Sequence, residues 1–130
     1  MIVTFSRRFP KEHRASVQTL VLRFADAYGL ANGWECRIRI QPKTDDAQAS
    51  VHCILESHTM ALRLTLARLK DMRVLEVDIA HELLHVLYWR TFSTIKDLPE
   101  GVQLPVLRAF EEDHDQASRR WHHLLCGGTQ

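Results

Sequence analysis

An α+β fold is predicted, with an N-terminal helix, a small, mostly antiparallel three-stranded sheet, a middle helix and a C-terminal helix. Two observations predict it. The spacing of apolar residues changes from helical to alternating and back along the chain. And 130 residues with 45% hydrophobic content suffice for one core and leave no linker, so residues 1–130 are read as one domain.

The elements follow in order. Val17, Leu20, Val21, Phe24 and Tyr28 recur at three and four, which predicts an amphipathic helix from about Lys11 to Tyr28. Pro10 stands at its entrance, where a missing N–H does no harm, and Gly29 and Asn32-Gly33 stop it. The period then becomes two. Trp34, Cys36, Ile38 and Ile40 alternate with Glu35, Arg37 and Arg39, as in a half-buried strand. Gln41 to Gln48 reads as a polar turn. Ala49, Val51, Cys53 and Leu55 form a second alternation, and Glu56-Ser57-His58 allows a tight reversal. Met60, Leu62, Leu64 and Leu66 form a third, although their leucines suit a helix as well.

Val74 to Trp89 is a long apolar segment without Gly or Pro, long enough for a buried helix. Thr91 to Gly101 reads as a loop, from Ser93, Pro99 and Gly101. The helical period returns from Leu104 to Leu125, where Leu107, Phe110, His114, Ala117, Trp121 and Leu124 share one stripe. Gly127 to Gln130 reads as a frayed tail.

Charge and cysteine usage exclude several classes. Seventeen basic and sixteen acidic side chains nearly cancel, so there is no global pull toward nucleic acid or anionic membrane. Met1 to Arg8 lacks the long apolar core of a signal peptide, and no stretch approaches the roughly 20 apolar residues of a membrane span. Cys36, Cys53 and Cys126 are odd in number, with no C-x-x-C pair. They fit neither a disulfide framework nor a zinc ribbon, and suit a reducing cytoplasm.

The chemistry is concentrated in His81-Glu82-Leu83-Leu84-His85, an H-E-x-x-H pattern within the middle helix. Histidines four apart on a helix share one face and can reach one ion. Glu82 is then held beside the ion without ligating it, placed to take a proton from the ion's water. Catalytic zinc sites have three protein ligands and one open position, so a third ligand is required. Glu111 borders the buried stripe of the last helix and comes first; His114, on the stripe itself, is the next candidate. Glu112, Glu100 and Asp115 are further ones, with Glu112 turned toward water. Tyr88, three residues past His85, and His114 are candidate auxiliary donors to a developing negative oxygen. Asp78 lies one turn before the motif and reads as an exposed or capping aspartate.

Other clusters are weaker. His122 and Cys126 are helically spaced for metal but lack a third partner in sequence, and read as a solvated terminal turn. Arg7-Arg8, Arg37 with Arg39, and Arg119-Arg120 read as solvated basic faces.

Strands, an H-E-x-x-H helix and then a helix bearing a glutamate resemble the gluzincin branch of the zincin metallopeptidases. The length is similar to minimal zincin domains of bacterial and phage type. A closer likeness is to bacterial metallopeptidases that cleave phage-type repressors. There the ligand glutamate is followed by Ala-Asn at three and four and Phe-Ala at six and seven. Here Glu111 is followed by His114-Asp115 and Ala117-Ser118, so Glu111 alone matches outright; the motif residues His81, Glu82 and His85 match fully. The resemblance implies a zinc cofactor held by His81, His85 and Glu111, with Glu82 as general base. It also implies a protein or peptide substrate lying along the strand before the motif helix, here Met60 to Leu66. The expected function is a cytoplasmic zinc-dependent peptidase. The alternative is a non-catalytic, zinc-stabilised protein-interaction domain of phage or bacterial origin, marked by a closed fourth position such as His114 together with Glu111. A third reading, a protease acting on nucleic-acid-bound protein, is disfavoured by the neutral charge balance and missing ribbon.

Overall fold

The computed structural model describes residues 1–41 and 49–127. Its strands are β1 (Ile2–Phe5), β2 (Glu35–Gln41), β3 (Ala49–Ile54) and β4 (Thr59–Thr65). Its helices are α1 (Lys11–Ala27), α2 (Met72–Leu87), α3 (Trp89–Lys96) and α4 (Glu100–Cys126). The class is α+β, but the sheet has four strands in the order β1-β2-β4-β3 and is mixed. β1 and β2 are parallel, β2 and β4 are parallel, and only β3 runs antiparallel, against β4. The expected three-stranded, mostly antiparallel sheet is corrected on both counts. Ile2, Val3 and Phe5 build a strand too short to carry a clear alternation, and α1 serves as the crossover that makes β1 and β2 parallel.

Register turns the alternations into one buried face. Val3 lies beside Cys36, Cys36 beside Met60 and Met60 beside Cys53; the next row is Phe5, Ile38, Leu62 and Val51. Met60 and Leu62 are fully buried, and this face packs into the same core as Val17, Val21 and Phe24 of α1 and Ile79, Leu83 and Leu84 of α2. β4 is paired on both sides, so Met60 to Leu66 is not a free edge. The outer strand beside α2 is β3.

Two boundaries differ from expectation. The segment expected as a loop over Thr91 to Gly101 is largely helical, because Phe92 and Ile95 continue a three-residue apolar spacing and Ile95 is buried. α4 begins at Glu100 and carries Pro105 inside it, where the missing N–H leaves the carbonyl of Gly101 without its usual helical donor. The turn expected over Gln41 to Gln48 lies, beyond Gln41, outside the described residues, as does the tail past Gly127. Gly127 closes α4 in the left-handed conformation, φ 62°, which glycine adopts without a Cβ penalty. No helix among the described residues is long and apolar enough to cross a membrane.

Candidate metal centre

α2 is fixed at its start by Asp71, whose carboxylate accepts from the N–H groups of Arg73 at 3.0 Å and Val74 at 3.4 Å. Its second half is buried on nearly every side, by the sheet, α1 and α4, and Tyr28, at the end of α1, donates its hydroxyl to the carbonyl of Ala80 at 3.0 Å. The motif side chains leave this rigid element toward α4. The Nε2 atoms of His81 and His85 are 3.2 Å apart.

The imidazole of His114 arrives from α4. Its ring stacks on His85 at 3.8 Å between centroids and meets His81 edge-on at 4.5 Å. One nitrogen from each of the three histidines lies within 4.8 Å of the others. His114 is 3% exposed, and both its ring nitrogens are buried without a hydrogen-bond partner. A buried polar atom without a partner costs about 1–3 kcal/mol, and an ion at one nitrogen of the ring would remove that cost there.

Electrostatics favour unprotonated rings. Burial, followed by His114 and His81 as neighbours, holds His85 down at about 3. Burial and then His81 hold His114 at about 4, and burial lowers His81. Neutral imidazole is the ligating form. Asp115, one residue past His114, places its carboxylate oxygen 3.3 Å from Nδ1 of His81. A proton held on Nδ1 beside that carboxylate would leave Nε2, the atom 3.2 Å from His85, as the lone-pair nitrogen.

Glu82 is nearly buried, with a carboxylate oxygen 3.9 Å from Nε2 of His81. Burial, with the charge of Asp78 adding to it, raises its carboxyl to about 8. Asp78 is neither exposed nor a cap. It is 4% exposed and takes two hydrogen bonds from Arg68, from Nε at 2.7 Å and from the terminal nitrogen at 3.0 Å. These residues open onto a cleft of about 390 Å³ lined by Ala49 of β3, His81, Glu82, Asp115 and Arg119 among others.

The expected residues therefore divide. His81, Glu82, His85 and His114 converge. Glu111 and Glu112 are exposed on α4 one turn earlier and lie outside the three-histidine group, as does Glu100 at the helix start. Tyr88 caps α2, is 40% exposed, and faces a separate cavity with Thr91, Phe110, Asp113 and His114. Asp115, a further ligand candidate from the sequence, instead faces Nδ1 of His81, and Arg119, expected on a solvated basic face, lines the cleft. Their signal was helical spacing, since positions 115 and 119 are one turn apart and 115 adjoins His114. The larger groove, about 880 Å³, lies elsewhere: it gathers Arg7, Arg8, Arg37 and Arg39 around the ends of β1 and β2 and shares no residue with the histidine cleft. Compared with protein-family models, curated proteins and solved structures, the chain matches none.

Proposed function

We propose that this chain is a zinc-dependent peptidase of the zincin type, with His81, His85 and His114 as ligands and Glu82 as general base. The observation that carries the reading is the partnerless, buried His114 ring set against the paired histidines of an H-E-x-x-H helix, with a nearly buried carboxylate beside them. Three neutral nitrogen donors suit zinc, and the group of three leaves a fourth position for water or substrate. When bound, zinc supplies Lewis acidity and a water that ionises near neutral pH.

The chain's own groups do the rest. Asp115, with its carboxylate 3.3 Å from Nδ1, orients the His81 ring. With a cation bound beside it favouring the ionised form, the Glu82 carboxylate would accept a proton as the nucleophile attacks a peptide carbonyl, and return that proton to the leaving amine. Arg119 brings positive charge to the cleft wall, where negative charge develops on the carbonyl oxygen. An extended peptide lies along the outer side of β3, pairing through backbone hydrogen bonds, with Ala49 at the cleft. This reassigns to β3 the role expected of Met60 to Leu66.

The test compares zinc-loaded wild type with Glu82→Gln on a mixed peptide library read by mass spectrometry. Glu82→Gln should keep its zinc and lose about 10²–10⁴-fold in rate, the usual contribution of a general base. Hydrolysis by Glu82→Gln within a fewfold of wild type would overturn the mechanism. A wild type that binds zinc and cleaves no peptide would favour the interaction-domain alternative.

A further inference from the structure

α4 brings a second set of ligand-type side chains onto the same helix seam. His122 and Cys126 stand four residues apart and project from one face of the helix. The third partner that the sequence lacked is Glu76 of α2, whose carboxylate oxygen lies 3.3 Å from Nε2 of His122. One donor atom each from Glu76, His122 and Cys126 lies within 4.8 Å of the other two, and all three residues are partly buried. We propose that these residues form a second zinc site, clipping the end of α4 to the first half of α2.

The donor set selects the ion. A carboxylate oxygen, an imidazole nitrogen and a thiolate sulfur suit zinc and exclude magnesium and calcium, which avoid sulfur. Zinc bonds of about 2.0–2.3 Å in a tetrahedron place ligand atoms about 3.3–3.8 Å apart, so the present spacing needs only small side-chain rotations. Binding replaces the S–H proton of Cys126 with the ion and releases that proton to solvent. Carboxylate and thiolate together neutralise the ion's two positive charges. Arg23 of α1 has a guanidinium nitrogen 3.8 Å from the sulfur, close enough to hydrogen-bond it from outside the coordination sphere. Water completes the fourth position.

The placement has a mechanical consequence. Going from the histidine group to this one, the chain moves back five residues on α2, about 7.5 Å, and forward eight on α4, about 12 Å. The helices are therefore antiparallel here, and an ion at Glu76, His122 and Cys126 fixes their relative register independently of the first group.

The test uses the full chain and cobalt(II) alone as the probe. Only this second site has a sulfur donor, so wild type should show a thiolate-to-cobalt charge-transfer band in the near ultraviolet. His81→Ala should keep the band, and Cys126→Ser and His122→Ala should lose it, with far-ultraviolet circular dichroism confirming that each variant is folded. Glu76→Gln, which keeps the side chain's shape, should need more cobalt to reach the same band. Elemental analysis should read one zinc fewer in Cys126→Ser than in wild type. A wild type whose cobalt spectrum lacks the thiolate band would overturn the proposal, whether or not the histidine site binds metal. So would a band that survives Cys126→Ser.

Discussion

Removing Arg68 should destabilise the protein more than neutralising its partner. Asp78 is 4% exposed and accepts two short hydrogen bonds from Arg68, whose own side chain is 31% exposed. Arg68→Ala strands a buried carboxylate, and breaking a buried pair from one side costs about 3–5 kcal/mol. Arg68 is reached by water, so solvent partly replaces it and the lower end, about 3 kcal/mol, applies. Asp78→Asn keeps the shape and leaves a guanidinium that can turn outward, so its cost should be about 1–2 kcal/mol. In a chain of this size, about 3 kcal/mol lowers the melting temperature by roughly 10 °C. Urea denaturation in the presence of chelator, followed by circular dichroism, keeps metal binding from adding its own stabilisation. The reasoning is refuted if Arg68→Ala costs less than about 1 kcal/mol, or less than Asp78→Asn.

Two further outcomes follow from buried groups. Tyr28→Phe removes the hydroxyl bonded to Ala80 while keeping the ring contacts to Phe24 and Trp121. It should cost about 1 kcal/mol, and an unchanged urea midpoint would mean that the bond contributes nothing. Burial pushes Cys36 up to about 12 and Cys53, with help from Glu56, up to about 11. Both thiols are held neutral in the fold, so their stabilisation is complete below the thiol's ordinary value near 8.5. It is lost as pH rises from there toward 11–12. Thermal melts should therefore drop more steeply between pH 9 and 11 in wild type than in Cys36→Val, and parallel slopes would contradict this. In the metal-free native protein at pH 8, alkylation should reach Cys126 well before Cys36 or Cys53, as counted by mass; equal labelling of all three would show that the buried pair is accessible.

Much of the fold was legible because apolar spacing reports burial directly. α1, β2, β3, β4 and the motif helix were each marked by residues that the structure buries, such as Phe24, Ile38, Cys53, Leu62 and Leu83. Strand direction was not legible, since an alternation looks the same in a parallel or an antiparallel neighbour. β1 was missed because four residues hold barely two periods. At the site, the helical repeat sufficed to pair His81 with His85. Choosing between Glu111 and His114 required knowing how α4 is rotated against α2, and one turn of that helix carries ligand-type side chains on several faces. A single-helix wheel places His114 on the stripe but says nothing of the rings it meets. Asp78 was misread for a related reason: its partner, Arg68, lies ten residues away in a short turn before the helix. The sequence could not show that the two would close on each other.

The central claim is that three histidines, without Glu111, hold the metal. It is tested most directly by zinc content in a Cys126→Ser background, which removes the sulfur ligand of the second group. The account predicts about one zinc per chain, lost on adding His81→Ala or His114→Ala and kept on adding Glu111→Ala. Zinc kept by His114→Ala and lost by Glu111→Ala would contradict it.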